Sequence, residues 1–256
     1  MRRNSRDGFT LIELMMVIAI IGILAALLFS VVSLAKRKVQ RIQCVNNVRQ
    51  LGQAMQLFIA DNHAYPLLIN SGYWKGLDAQ HFTSWNAVLE NEISTHFPRK
   101  NWADPKGVWN CPAAERPSDY PPKQVYMEYG YNGRGLSSIG DTNTLGLGGH
   151  RVDKGSYAPP VTESEITAPS EMMAIGDGFH GGKGIVQDGA GLWRDYDAQD
   201  DLSRTKSSLS RHQGKANVVF CDGHVDAPTL KFLLEDTTDA ALVRWNRDHQ
   251  PHRDKL

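Results

Sequence analysis

From Phe9 to Val32 the chain reads FTLIELMMVIAIIGILAALLFSVV, 24 residues in which only Thr10, Glu13 and Ser30 are polar. A helix needs about 20 consecutive apolar residues to cross the hydrocarbon core of a bilayer. No later segment comes near that length, so the remainder reads as water-soluble. The single carboxylate is the anomaly. A charge at the centre of a membrane helix costs about 2.5–3.5 kcal/mol on insertion scales, and such residues as a rule have a partner. Glu13 needs one.

A cleaved secretory signal accounts for part of the pattern. Arg2, Arg3 and Arg6 supply a basic start, and Ser33-Leu34-Ala35 is a passable small-x-small cleavage site. The apolar run, however, exceeds the about 7–15 residues of a signal core. A plain membrane anchor fits the length and leaves Glu13 unexplained. Lys36, Arg37, Lys38 and Arg41 lie beyond the span, so basic residues flank both ends and orientation is ambiguous from charge alone.

The segment Arg6-Asp7-Gly8-Phe9-Thr10-Leu11-Ile12-Glu13-Leu14 resembles the leader signal of type IV prepilins and type II secretion pseudopilins. The resemblance implies that a prepilin peptidase cuts between Gly8 and Phe9 on the cytoplasmic face and methylates the new N-terminus, Phe9. It implies that Glu13 serves assembly by pairing with the N-terminal amine of a neighbouring subunit, which supplies the missing partner. It also implies an inner-membrane protein with its C-terminal domain outside the cytoplasm, and other pilin or pseudopilin subunits as partners. Many pilins carry proline where this chain has Ser30. Gly22 is the helix-weakening residue within this span.

Helical periodicity continues past the span. Val39, Ile42, Val45, Val48, Leu51, Met55 and Phe58 recur every three or four residues, and no proline intervenes before Pro66. One helix from Phe9 to Asp61 would be roughly 80 Å long. The expected organisation is a leader (1–8), a membrane-spanning and filament-core helix (9–35), its amphipathic continuation (36–61) and a soluble globular domain (62–256). The fold class is α+β and pilin-like, a long N-terminal helix packed on an antiparallel sheet.

Within the globular part, Ser84 to Leu89 reads as a helix capped by Ser84 or Thr83. Residues 98–123 read as an irregular, proline-rich connection, and 132–160 as a glycine-rich loop region. Val125–Tyr131 and Met172–Ile175 have strand character. Ala216–Cys221, the Asp222-Gly223 turn and His224–Asp226 form a hairpin. Thr229–Glu235 and Asp239–Arg247 read as closing helices.

The resemblance extends to Cys44 through Gly52, to Tyr129-Gly130-Tyr131-Asn132 and to His212 through Gly223. These segments are similar to a large bacterial group of prepilin-like proteins ending in a histidine, nine residues and Asp-Gly. His212, Asp222 and Gly223 are expected to be structural, since Asp-Gly tolerates the positive φ of a tight turn.

Lysine plus arginine and aspartate plus glutamate number 28 each, which gives no electrostatic basis for binding nucleic acid. H-E-x-x-H, G-x-S-x-G and phosphate-loop motifs are absent. Ser210, His212, Asp222 and His224 are a loose donor set, and no cofactor or metal ligand is assigned. The weaker option is calcium, suggested by Asp177, Asp188, Asp195, Asp197, Asp200 and Asp201 without a regular calcium-loop spacing. Two function classes stand side by side. One is a non-enzymatic filament subunit, and the other is a membrane-anchored extracytoplasmic enzyme or a ligand- or metal-binding module.

The three cysteines are Cys44, Cys111 and Cys221. In an oxidising compartment disulfides persist, and a Cys44–Cys111 bond would add about 4 kcal/mol in the chain-entropy treatment. A Cys111–Cys221 bond and three free thiols are the alternatives.

Overall fold

A helix that meets no proline from residue 11 to residue 65 and is rich in Leu, Ala and Gln has little reason to stop. In the computed structural model it runs unbroken as α1, Leu11–Asn62. The structure describes residues 10–68, 85–96, 107–114, 129–137, 144–153, 156–157, 159–178 and 211–256. Helix α1 ends where His63 turns left-handed (φ 52°) while its N–H still bonds to the Ile59 carbonyl (2.7 Å). Pro66 follows, as is common just past a helix end.

The chain divides into two units, Met1–Gln40 and Arg41–Leu256. In the first, α1 exposes apolar side chains all round, among them Ile12, Met16, Ile20, Leu24 and Leu28. Among the described residues, α1 is the one helix long and apolar enough to cross a membrane.

In the second unit the remainder of α1 is part of the core. Cys44, Val48, Leu51, Met55 and Ile59 are buried, a spacing of four, three, four and four that keeps them on one face. The stripe expected from Val39 and Ile42 is corrected here, because both are more than half exposed. The pattern is compatible with two adjacent faces. The buried one carries Gly52 and Ala54, whose small size permits close approach to the sheet.

Helix α2, Trp85–His96, extends beyond the helix expected to Leu89 and buries Trp85, Leu89 and Ile93. Its expected caps, Thr83 and Ser84, lie outside the described residues. Strand β1 is Tyr129–Tyr131. A hairpin of β2, Arg151–Asp153, and β3, Ser156–Tyr157, lies within the stretch expected to be loop. Its strands are too short and irregular in register to show alternation. Strand β4 is Met173–Asp177, β5 is Val218–Phe220 and β6 is Val225–Asp226.

Four of these strands form an antiparallel sheet in the order β1-β4-β5-β6. Tyr129 pairs with Asp177, Ile175 with Val219, and Val219 with Val225. The β5–β6 turn has the expected place, with Gly223 at φ 89° and its N–H bonded to the Phe220 carbonyl (2.9 Å).

Both sheet faces are covered, which is why β4 and β5 read as continuous apolar runs. Val219 joins the cluster of Leu51, Met55, Trp85, Trp109 and Tyr131. Val218 and Phe220 alternate to the opposite face and join Leu230, Leu233, Leu242 and Trp245. Those residues come from α3, Leu230–Leu234, α4, Asp239–Leu242, and the short turn Val243–Trp245. Thr229 caps α3 by accepting from the Phe232 N–H. The result is the α+β, pilin-like arrangement of a long helix and a small antiparallel sheet.

Candidate functional site

Two places in the chain set ionisable groups among apolar residues. The first is the start of α1. The Thr10 N–H and hydroxyl both donate to Glu13 Oε2 (2.9 and 2.7 Å), and the Glu13 N–H donates to Thr10 Oγ1 (3.3 Å). This reciprocal exchange is a capping box, written in sequence as Thr-x-x-Glu. The carboxylate thus has a partner within its own chain, one the sequence signal would have revealed. Gly8 and Phe9 lie outside the described residues.

The second place is inside the globular unit, where four distant residues meet. Cys44 comes from α1, Cys111 from the turn at 107–114, Asp177 from the end of β4 and His212 from the turn Arg211–Gln213. All four are buried, and their donor atoms lie within 4.8 Å of one another. Cys44 Sγ is 3.0 Å from Asp177 Oδ1 and 3.1 Å from the Tyr129 hydroxyl. Cys111 Sγ is 3.3 Å from His212 Nε2, which is 3.5 Å from Asp177 Oδ2.

Local chain geometry aims these groups. Asp177 stands opposite Tyr129 in the β1–β4 ladder. Asn217 donates its backbone and side-chain N–H groups to Asp177 Oδ2 (2.7 and 2.9 Å). His212 and Gln213 adopt left-handed conformations (φ 51° and 62°), followed by Gly214 at 74°. Such backbone costs a non-glycine residue about 1–2 kcal/mol. Arg211, also buried, donates to the Gly178 carbonyl.

The electrostatics are asymmetric. Burial pushes the Cys44 thiol up, with further upward contributions from its interactions with Cys111 and Asp177. Cys111 is held well below the usual thiol range by the hydrogen bond with Cys44, against burial and with help from His212 and Arg211. Burial raises Asp177, and the Cys111 charge adds to that, with His212 and Arg211 opposing.

The cysteines expected to bond are neighbours here, and both are free thiols, as is Cys221. Beside the hydrogen bond between them, Cys44 also contacts Tyr129 and Asp177, and Cys111 contacts His212. The reading that assigns no metal ligands does not anticipate this donor set. Its members are scattered over residues 44–212, with none of the short spacings that betray metal sites. Asp222 and His224 stand apart, paired with each other at the exposed hairpin tip (2.6 Å). Of the acids considered for calcium, Asp177 is the buried member of the cluster. Asp188, Asp195, Asp197, Asp200 and Asp201 lie outside the described residues, as does Ser210.

The Tyr129-Gly130-Tyr131-Asn132 segment has a structural explanation. Tyr129 reaches Cys44, and the Tyr131 hydroxyl donates to the Pro66 and Leu147 carbonyls (2.9 and 3.2 Å). The Asn132 amide donates to the Met173 and Trp245 carbonyls (2.8 and 2.9 Å).

Residues 3–29 match the prokaryotic N-terminal methylation motif. The chain is 42% identical over 66 residues to the type II secretion system core protein G of Klebsiella michiganensis, covering 26% of this chain and 46% of that protein. It is 41% identical over 63 residues to the protein of the same name from Escherichia coli K12, covering 25% and 43%. The chain thus spans less than half the length of these secretion relatives. The type IV major fimbrial protein FimA of Dichelobacter nodosus is 34% identical over 128 residues, covering 50% of this chain and 70% of that protein. No solved structure matches. With the motif at its start and a fimbrial relative matched over most of that relative's length, the chain belongs to the prepilin-type family of type IV pilins and type II secretion pseudopilins.

Proposed function

We propose that this protein is a structural subunit of a type II secretion pseudopilus or type IV pilus-like filament, and not an enzyme. A prepilin peptidase cuts between Gly8 and Phe9 and methylates Phe9. The first part of α1 then holds the subunit in the inner membrane, with the globular unit outside the cytoplasm, until it packs against other pilin or pseudopilin subunits.

The observation that carries this reading is the all-round exposure of apolar side chains along α1 from Leu11 to Leu34. Such a surface requires lipid or other helices around it. Glu13 fits the same reading. Its carboxylate caps α1 through Oε2, and in a filament it also offers charge to the new amine of a neighbour.

Intact-mass measurement of the protein extracted from membranes tests the proposal. The expected species begins at N-methylated Phe9. A mature chain beginning after Ala35 would replace the filament reading with an ordinary secreted domain.

A further inference from the structure

We propose that Cys44, Cys111, Asp177 and His212 bind a divalent zinc ion in a closed, four-coordinate structural site. It would join α1, the 107–114 turn, the end of β4 and the Arg211–Gln213 turn.

The donor set is chemically apt. Two thiolates, an imidazole and a carboxylate are the ligand types zinc takes in tetrahedral sites. With bonds of about 2.0–2.3 Å, tetrahedral donors stand about 3.3–3.8 Å apart. Three of the six donor–donor separations here are 3.0, 3.3 and 3.5 Å, and all four donor atoms lie within 4.8 Å of one another, so an ion would draw the wider pairs inward by up to about 1 Å.

Charge balance points the same way. Two thiolates and a carboxylate bring three negative charges into a buried space, where unpaired charge costs several kcal/mol per ion. A zinc ion and the buried Arg211 guanidinium bring three positive ones. Metal binding displaces whatever thiol protons remain, and the cluster closes near neutrality.

The surroundings have the form of an outer shell. Tyr129 is placed to donate to the Cys44 sulfur, and Asn217 donates twice to Asp177 Oδ2 while Oδ1 lies nearest Cys44. Such contacts orient ligands and tune their basicity. The left-handed backbone at His212 also gains a reason, since a metal bond offsets its conformational cost. With four protein donors the site has no position left for substrate, which makes it structural rather than catalytic.

The test uses the full chain, purified in detergent without chelator or reductant. Elemental analysis is expected to give one zinc per chain. Exchange with cobalt(II) should produce thiolate-to-metal charge transfer and the intense visible bands of a tetrahedral ion. Cys111→Ser and Asp177→Asn should lose or shift those bands. Cys221→Ala, which removes a buried thiol outside the cluster, should retain them. The wild-type cobalt spectrum keeps the test decisive if the cluster variants fail to fold. A wild-type protein that gives no such spectrum overturns the proposal. So does a Cys44–Cys111 disulfide peptide from the unreduced protein, or loss of the metal in Cys221→Ala.

Discussion

Val219, in the middle of β5, lies so close to Gly52 of α1 that a Cβ at position 52 would stand 2.5 Å from Val219 Cγ2. The helix thus meets the sheet at a point where no side chain fits between them. Val219 is β-branched and stiff at χ1, and it is fully buried, so it has little freedom to yield.

Gly52→Leu should therefore destabilise the fold by about 1–3 kcal/mol through overpacking, despite the better helix propensity of leucine. Urea unfolding followed by tryptophan fluorescence reports this directly. Unchanged stability would mean that the helix can move off the sheet at little cost.

Asn132 joins β1 to two other segments. Replacing it with alanine removes the amide donor to the Met173 and Trp245 carbonyls and the acceptor for the Gly135 N–H. Each buried group left unsatisfied costs about 1–3 kcal/mol. The expected result for Asn132→Ala is a large fall in melting temperature. A fall no greater than that of a typical surface variant would contradict the bridging role.

Glu165 ties three segments together. It accepts from the Thr162 N–H (2.9 Å) and lies 2.9 Å from His150 and 3.6 Å from Arg247. Burial alone would raise its pKa. The Thr162 hydrogen bonds, His150 and Arg247 outweigh burial and leave it lowered. A lowered folded pKa means stabilisation that is present above the unfolded carboxylate value and lost as pH falls through the folded one. Glu165→Gln should thus lower the melting temperature at about pH 7, with the difference from wild type closing towards about pH 3. A pH-independent difference would assign the effect to shape rather than charge.

Glu13 caps α1, and the proposed filament adds an assembly role that substitution can separate from capping. Glutamine can complete a capping box but cannot pair with a neighbour's amine as a charge. Glu13→Gln should keep the helix start and the membrane insertion, yet assemble as poorly as Glu13→Ala. Quantifying sheared filaments or cross-linked subunits provides the readout. Near-normal assembly by Glu13→Gln, with loss in Glu13→Ala, would show that capping is the assembly-critical role.

The elements most legible in sequence were those specified by neighbours in the chain. The apolar run, the absence of proline up to Pro66, the closing helix at Thr229–Glu235 and the Asp222-Gly223 turn all act over a few residues, so local physics was enough. The exposure of Val39 and Ile42 was not legible, because periodicity locates a face only to within one residue's rotation. The β2–β3 hairpin was hidden for a related reason, since two- and three-residue strands hold too few positions to display alternation.

By itself, the sequence determined that this protein has a leader-like start, one membrane-length helix with a lone carboxylate and a globular α+β remainder. Composition and short-range pattern carry that information. Tertiary structure alone decided what becomes of Cys44, Cys111, Asp177 and His212. A helix face, a turn in an irregular connection, a strand end and a left-handed turn converge there, and a contact among such distant segments is set by how α1 seats on the sheet. No spacing along the chain encodes it.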